Sequence, residues 1–119
     1  LNENSKVFVT NFDLPELDHH FLEGLSFPKG LKDVVHFILF NSDQYPKAIS
    51  SRLAITRQIL VKHGYATTVI KPESSHPTLQ AFEVLYFGAF LSYYLAIQAH
   101  IDPGPIPSVD YLKKELAKI

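Results

Sequence analysis

The chain has 119 residues, which is enough for one small domain with a single core. Its formal net charge is −1 and its basic residues are scattered, so neither nucleic acid nor an anionic membrane surface is indicated as a partner. The absence of cysteine excludes disulfides and thiolate metal sites, and it fits a reducing, cytoplasmic compartment.

The chain opens on the hexapeptide Leu1-Asn2-Glu3-Asn4-Ser5-Lys6, which places a carboxylate between two amides, and no methionine precedes it. We therefore expect residues 1–119 to be most of one domain within a longer polypeptide. Residues 6–10 have the pattern of a strand, or of the end of a helix that begins upstream.

The middle of the chain alternates between strand and helix patterns. Residues 34–40 are almost continuously apolar, which predicts a strand covered on both faces, and residues 66–70 predict a second, shorter strand. Between them, residues 46–63 predict a helix with Pro46 in its first turn and Gly64 as its stop. The apolar stripe of this helix consists of Ile49, Leu53, Thr56 and Leu60.

A strand–helix–strand order with buried strands predicts an α/β fold with a parallel sheet flanked by helices. Two strands are too few for a stable open sheet. We expect further strands to come from upstream or from residues 1–30.

Residues 77–100 predict a long apolar helix, of which residues 84–99 carry no formal charge. A bilayer span needs about 20 apolar residues. Because this run includes Ser92, Gln98 and several tyrosines, it favours a helix buried on most sides in a soluble protein, or one in a subunit interface, over a membrane span.

A proline-rich turn at residues 102–107 ends this helix, and Ser108 is predicted to cap a last one. The apolar stripe of the last helix is Val109, Leu112 and Leu116. Asp110 near its start and Lys118 near its end suit the helix dipole.

Asp18-His19-His20 spells a triplet that metal-dependent phosphoesterases use, and Glu16 is a further possible ligand. Those enzymes need more aspartate and histidine ligands, and none follows at a suitable place. A metal phosphoesterase is therefore an alternative with little support. No glycine-rich nucleotide loop and no GxSxG elbow occurs.

Three segments taken together resemble, in order, the second half of the bifunctional phosphoglucose/phosphomannose isomerases, which consist of two SIS (sugar isomerase) domains. The first segment is the opening hexapeptide. The second is residues 14–24, LPELDHHFLEG, and the third is residues 93–116, with Asp102-Pro103-Gly104-Pro105 at its centre. The resemblance covers essentially the whole chain.

The resemblance implies a flavodoxin-like SIS domain that acts on hexose 6-phosphates without a metal or organic cofactor. By position in the motifs, Glu3 matches the base that moves a proton between C1 and C2 through a cis-enediol. His19 matches a histidine that helps to open the sugar ring and reaches into the partner subunit's site. Lys113 matches a lysine at the ring oxygen. A homodimer and an N-terminal SIS domain in the same chain are the implied partners.

This sequence departs from the family pattern at three positions. His20 stands where the family has asparagine, which leaves the choice between His19 and His20 open. Ala89 replaces an aspartate in the long helix. Ile106 stands where a threonine is associated with acceptance of both sugars, which puts dual specificity in doubt.

In the family, serine and threonine residues of the first SIS domain hold the substrate phosphate. We therefore expect the 119 residues alone to be inactive. The alternative from another functional class is a non-catalytic SIS module that binds a sugar phosphate or serves in dimerisation.

Overall fold

The structure is a computed structural model that describes all 119 residues. The chain divides into two compact units, which we call the central unit (residues 11–81) and the terminal unit (residues 1–10 and 82–119). Two 3₁₀ helices, Leu22–Ser26 and Lys29–Asp33, precede the first strand. The remaining elements are α1 (Glu16–His20), β1 (His36–Phe40), α2 (Lys47–Lys62), β2 (Ala66–Ile70), α3 (Pro77–Gln98) and α4 (Pro107–Leu116).

The two strands of the central unit form a parallel sheet, which confirms the predicted α/β class. His36 pairs with Ala66 at one end and Phe40 with Ile70 at the other. Across the ladder, the His36 ring nitrogen lies 2.8 Å from the Thr68 hydroxyl. The His36 side chain therefore links the two strands.

No third strand forms within the chain, so residues 1–30 supply none, and the other predicted source, a strand from upstream, stays a prediction. Residues 6–10 are neither strand nor helix. The reason is local: both backbone groups of Val9 bond to the side chain of Asn2, at 2.7 and 2.8 Å, and are unavailable to a ladder. In addition, Lys6 has a positive φ of 54°, which is incompatible with extended backbone.

Helix α2 begins and ends within one residue of the predicted bounds. Leu53, Thr56 and Leu60 of the predicted stripe are buried. Gly64 follows the helix with φ +87°, a conformation that side-chain-bearing residues rarely adopt. A Cβ on Gly64 would also lie 3.3 Å from Cδ of Lys32.

The core of the central unit packs one face of α2 against the sheet and the 3₁₀ segments. Leu60 is completely buried, and the buried Tyr65 donates its phenolic hydrogen to the Leu25 carbonyl at 2.9 Å. Partly buried side chains around this centre are Phe21, Leu22, Leu31, Val35, Phe37, Leu39 and Ile59. This cluster holds together the segments that precede and follow β1.

Helix α3 is long and apolar enough to cross a membrane by length and composition alone, yet only 17% of its apolar window is buried. The expectation of a helix buried on most sides is therefore wrong for this chain. Its buried face includes Ser92 and Ala96. Large apolar side chains on its other faces are at least half exposed: Leu79, Phe82, Leu85, Tyr86, Phe90, Tyr93, Tyr94 and Ile97. The interpretation of α3 as an interface helix stays a prediction.

Helix α4 begins at Pro107, and Ile106 occupies the N-cap position without a side-chain hydrogen bond. The prediction that Ser108 caps this helix is therefore wrong. Proline at the first helical position, with its fixed φ and missing N–H, sets the start two residues earlier than a Ser108 cap would. No residue of α4 is buried.

Candidate active site

The hexapeptide that carries Glu3 forms a turn whose polar side chains bond to backbone atoms. The Ser5 hydroxyl donates to the Leu1 carbonyl at 2.7 Å, and the Ser5 N–H donates to the same oxygen at 3.0 Å. Ser5 is fully buried. The Asn2 side chain also forms two hydrogen bonds with the Val9 backbone, so the turn is bonded to itself and to the residues that follow it.

Glu3 lies inside this turn, and its carboxylate is exposed and forms neither an ion pair nor a hydrogen bond. Its neighbours Asn2, Ser5 and Lys6 all direct their polar side chains at backbone carbonyls. The turn thus holds the Glu3 backbone while it leaves the carboxylate free to accept a proton. Such an arrangement suits a general base.

Lys6 connects this turn to the proline-rich turn ahead of α4. Its ammonium donates to the carbonyls of Glu3, Pro105 and Pro103 at 2.5, 2.7 and 3.3 Å. The first and the last of the family-like segments therefore meet within the terminal unit, although 97 residues separate Lys6 from Pro103 in the chain.

Lys113 lies in the second half of α4, in the same unit as Glu3. Its side chain is exposed and forms no ion pair or hydrogen bond, so no direct contact joins its ammonium to the Glu3 carboxylate. Lys118, in contrast, donates to both carboxylate oxygens of Glu115 at 2.6 and 2.8 Å. Of these two lysines, Lys113 is the one whose ammonium is free to bind a ligand.

His19 lies in α1, in the central unit. The preceding residue, Asp18, accepts a hydrogen bond from the Thr56 hydroxyl at 2.6 Å, and its other oxygen is 3.5 Å from the Arg52 guanidinium. Leu17 is buried on the same helix. Asp18 and Leu17 thus attach α1 to the rest of the unit, and α2 supplies both polar partners.

The surroundings of His19 and His20 differ, which bears on the choice between them. The His20 ring lies 3.0 Å from the Glu16 carboxylate one turn earlier. His19 lines an open cleft of about 330 Å³ together with Pro15, Glu16, Asp18 and Arg52, whereas His20 does not line it. His19 is therefore the histidine of the two that lines a cleft, whereas His20 is paired with Glu16. Sequence reasoning did not single out Arg52, because an isolated arginine on a helix gives no signal.

A second polar cluster, also unpredicted, lies beyond the carboxyl end of β1. The Ser42 hydroxyl donates to the Gln80 side chain, and the Gln44 N–H donates to the Ser42 oxygen at 2.9 Å. Gln80 in turn donates to the Ser74 carbonyl at 2.6 Å. Ligands of open parallel sheets bind at this edge. Here the buried Ser42 hydroxyl and Gln80 amide bond to each other and thereby join the loop after β1 to the loop after β2.

No group of three or more histidine, cysteine, aspartate or glutamate side chains is arranged to hold a metal ion. Asp18, the first residue of the phosphoesterase-like triplet, is engaged by Thr56 and Arg52. The metal-phosphoesterase alternative therefore gains no support from the structure.

The chain matches, over residues 1–116, the family described as the bacterial phospho-glucose isomerase C-terminal SIS domain. This chain belongs to that SIS-domain family. Two relatives carry the name bifunctional phosphoglucose/phosphomannose isomerase. One, from Aquifex aeolicus, is 27% identical over 99% of this chain and 37% of its own length. The other, from Thermoplasma volcanium, is 30% identical over 98% of this chain and 36% of its own length.

This SIS domain thus spans just over a third of the length of the curated relatives it matches. No solved structure matches it significantly. The family supports the α/β assignment, in which a parallel sheet is flanked by helices. The roles of Glu3, His19 and Lys113 stay predictions.

Proposed function

We propose that the intact protein is an aldose–ketose isomerase that interconverts glucose 6-phosphate or mannose 6-phosphate with fructose 6-phosphate. Support comes from the match over residues 1–116 to a phospho-glucose isomerase SIS family and from the names of the relatives. The observation that carries the proposal is the free Glu3 carboxylate on a turn whose other polar side chains hold the backbone.

In the proposed mechanism, Glu3 removes the proton from C2 of the open-chain aldose, and the electrons of that C–H bond form the C1–C2 double bond while O1 takes up a proton, which gives a cis-enediol. Glu3 then delivers to C1 the proton from C2, or one that it has exchanged with solvent, while the C2 hydroxyl loses its proton and C2 becomes the carbonyl carbon. His19 and Lys113 exchange or polarise protons at the ring oxygen and the C1 hydroxyl during ring opening. Every step uses side chains alone, so the proposal includes no metal or organic cofactor.

The proposed assembly is a cytoplasmic homodimer in which an N-terminal SIS domain precedes the described residues. The many exposed apolar side chains of α3 support a covering partner, because apolar groups left in water in such number mark interaction sites. We assign the N-terminal domain to that face, since the relatives extend well beyond the matched region.

The test of the reaction is Glu3→Gln in the full-length protein. Loss of a general base lowers kcat by about 10²- to 10⁴-fold, and exchange of the C2 proton with deuterium oxide should fall in parallel. Glu115→Gln is the matched control, because Glu115 belongs to the same unit and pairs only with Lys118. Near-normal turnover by Glu3→Gln would remove Glu3 as the base.

The second candidate is a non-catalytic SIS module for sugar-phosphate binding or dimerisation. Ile106 and Ala89 favour it, because both are apolar where the isomerases have polar residues. It predicts that the full-length protein binds fructose 6-phosphate, or dimerises, without proton exchange at C2. We also expect the 119 residues alone to lack activity, and turnover by this purified fragment would contradict that expectation.

A further inference from the structure

Lys6 uses its ammonium group in an unusual way for an exposed lysine. Three backbone carbonyl oxygens, from Glu3, Pro105 and Pro103, lie within hydrogen-bond distance of its nitrogen. An ammonium group has three N–H donors, so these contacts account for all of them. No carboxylate is among the partners, and the side chain therefore serves as a bridge between two backbone segments.

The backbone at Lys6 supports the same interpretation. Its φ of 54° is uncommon for a residue other than glycine, and such conformations persist where surrounding contacts determine them. The preceding residue, Ser5, is fully buried and bonded to Leu1. Ser5 thus closes the Glu3 turn on Leu1, and Lys6 bonds the same turn to the carbonyls of the proline-rich turn.

We propose that Lys6 is a positioning residue for Glu3, an inference that rests on the proposed function. Because its ammonium bonds to the Glu3 carbonyl, Lys6 sets where the Glu3 carboxylate lies relative to the turn that leads into α4. Proton transfer depends steeply on such placement. Lys6 itself has no donor left for the substrate, so it acts through Glu3 and not on the sugar.

The experiment compares Lys6→Met, Lys6→Gln and Lys6→Arg in the full-length protein, with fructose 6-phosphate formation and C2 proton exchange as readouts. Methionine keeps the length without any donor, whereas glutamine and arginine keep N–H donors for carbonyls. We expect kcat to fall about 10- to 100-fold in Lys6→Met, in line with a small misplacement of the base. KM should stay within about twofold, and Lys6→Arg should recover most of the rate.

The matched control is Lys118→Met, which removes a lysine of the same unit that pairs with Glu115. Its kcat should equal that of the wild type. If Lys6→Met does not fold, the test uses the other two variants. A kcat that decreases from wild type to Lys6→Arg to Lys6→Gln supports the positioning role, and equal kcat values overturn it.

Different outcomes separate this inference from the proposed function. Full activity of Lys6→Met, with Glu3→Gln inactive, overturns the positioning role and leaves the isomerase proposal intact. A raised KM with unchanged kcat also overturns it, since that would assign Lys6 to substrate binding. Full activity of Glu3→Gln overturns the proposed function itself.

A separate observation in the central unit carries a second inference. Helix α1 has five residues and no side-chain cap, which is too short for stability by itself. Its polar attachment is Asp18, which accepts from the Thr56 hydroxyl at 2.6 Å. Thr56 is only 2% exposed, so this hydroxyl would be buried without a partner if Asp18 were lost.

We infer that Asp18 and Thr56 form a positioning pair for His19, again on the basis of the proposed function. Since Asp18 directly precedes His19, its bond to α2 sets the rotation of α1. In that rotation His19 lines the 330 Å³ cleft while His20 meets Glu16. The pair acts on the rate only through the histidine.

A double-mutant cycle with Asp18→Ala and Thr56→Val tests this pair in the full-length protein. We expect each variant to lower kcat about tenfold and the double variant little further, because both remove the Asp18–Thr56 hydrogen bond and the 3.5 Å contact of Asp18 with the half-exposed Arg52 is weak. Asp18→Asn should recover most of the rate, since its amide oxygen still accepts from Thr56. Glu23→Gln is the control in the neighbouring 3₁₀ helix, because Glu23 does not line the cleft, and it should keep normal kcat.

The ring-proton NMR signals of His19 provide a readout beyond activity. They should shift in Asp18→Ala and return in Asp18→Asn. Additive rate losses, or normal kcat in Asp18→Ala while His19→Ala is inactive, would overturn the pair without affecting the isomerase proposal. Normal activity of His19→Ala would instead remove His19 from the proposed mechanism.

Discussion

In the central unit the segment that carries His19 rests on a hydrophobic core, whereas in the terminal unit the segment that carries Glu3 is held by hydrogen bonds to backbone. Of the six buried apolar residues, five belong to the central unit and only Ala96 to the terminal unit. The terminal unit instead buries the hydroxyls of Ser5 and Ser92, and the Ser92 oxygen has no hydrogen-bond partner.

The two units are therefore stabilised by different interactions. In the central unit the hydrophobic effect contributes most, and it does not depend on the direction of individual contacts. The Glu3 turn depends on a few directed bonds from Asn2, Ser5 and Lys6. The exposed apolar surface of α3 and α4 is consistent with a terminal unit that gains further stability from a covering partner.

The largest expected effect distinguishes the two adjacent histidines of the central unit. His19→Ala in the full-length protein should lower kcat by about 10²- to 10⁴-fold, as loss of an acid–base group does. His20→Ala should change kcat less than about threefold, because His20 meets Glu16 and does not line the cleft. Steady-state kinetics of both variants provide the measurement. The reverse order of effects would assign the role to His20.

The next effect compares apolar side chains of the two units. Leu60→Ala removes a completely buried side chain and should lower the free energy of unfolding by about 2–5 kcal/mol. Leu85→Ala in α3, where the side chain is 65% exposed, should cost less than about 0.5 kcal/mol in the 119-residue chain. Urea denaturation of both variants measures this contrast.

The same pair of variants tests what covers α3. In the full-length protein, the cost of Leu85→Ala should rise toward that of Leu60→Ala if the N-terminal domain packs on α3. An unchanged cost for Leu85→Ala would contradict the proposed cover.

The smallest effects are those of two glycine-to-alanine changes, which should alter the free energy of unfolding in opposite directions. Gly64→Ala places a Cβ at φ +87° and near Lys32, and should destabilise by about 1–2 kcal/mol. Gly88→Ala lies within α3 with open space around the added methyl, and should stabilise by up to about 1 kcal/mol through helix propensity. Thermal unfolding followed by circular dichroism checks both signs. Destabilisation by Gly88→Ala would show that this face of α3 is tightly packed.

Much of the central unit could be predicted from local pattern. The bounds of β2 and the buried stripe of α2 followed from periodicity, and Gly64 marked the end of the helix. The Glu3 turn could not be predicted, because Lys6 finds its partners 97 and 99 residues away. The hydrogen bond between Asp18 and Thr56 could not be predicted either, because Thr56 fits the apolar stripe of α2 and nothing local marks it as a donor to Asp18.

The amino-acid sequence by itself determined the α/β class, the parallel strand pair and the SIS family, because hydrophobic period and ordered motifs are properties of the chain alone. Only the tertiary structure decided which side chains hold the candidate residues. Lys6 and Asp18 act through partners that are distant in the chain. Such contacts depend on where the folded backbone places each carbonyl and hydroxyl, and local sequence does not encode those positions.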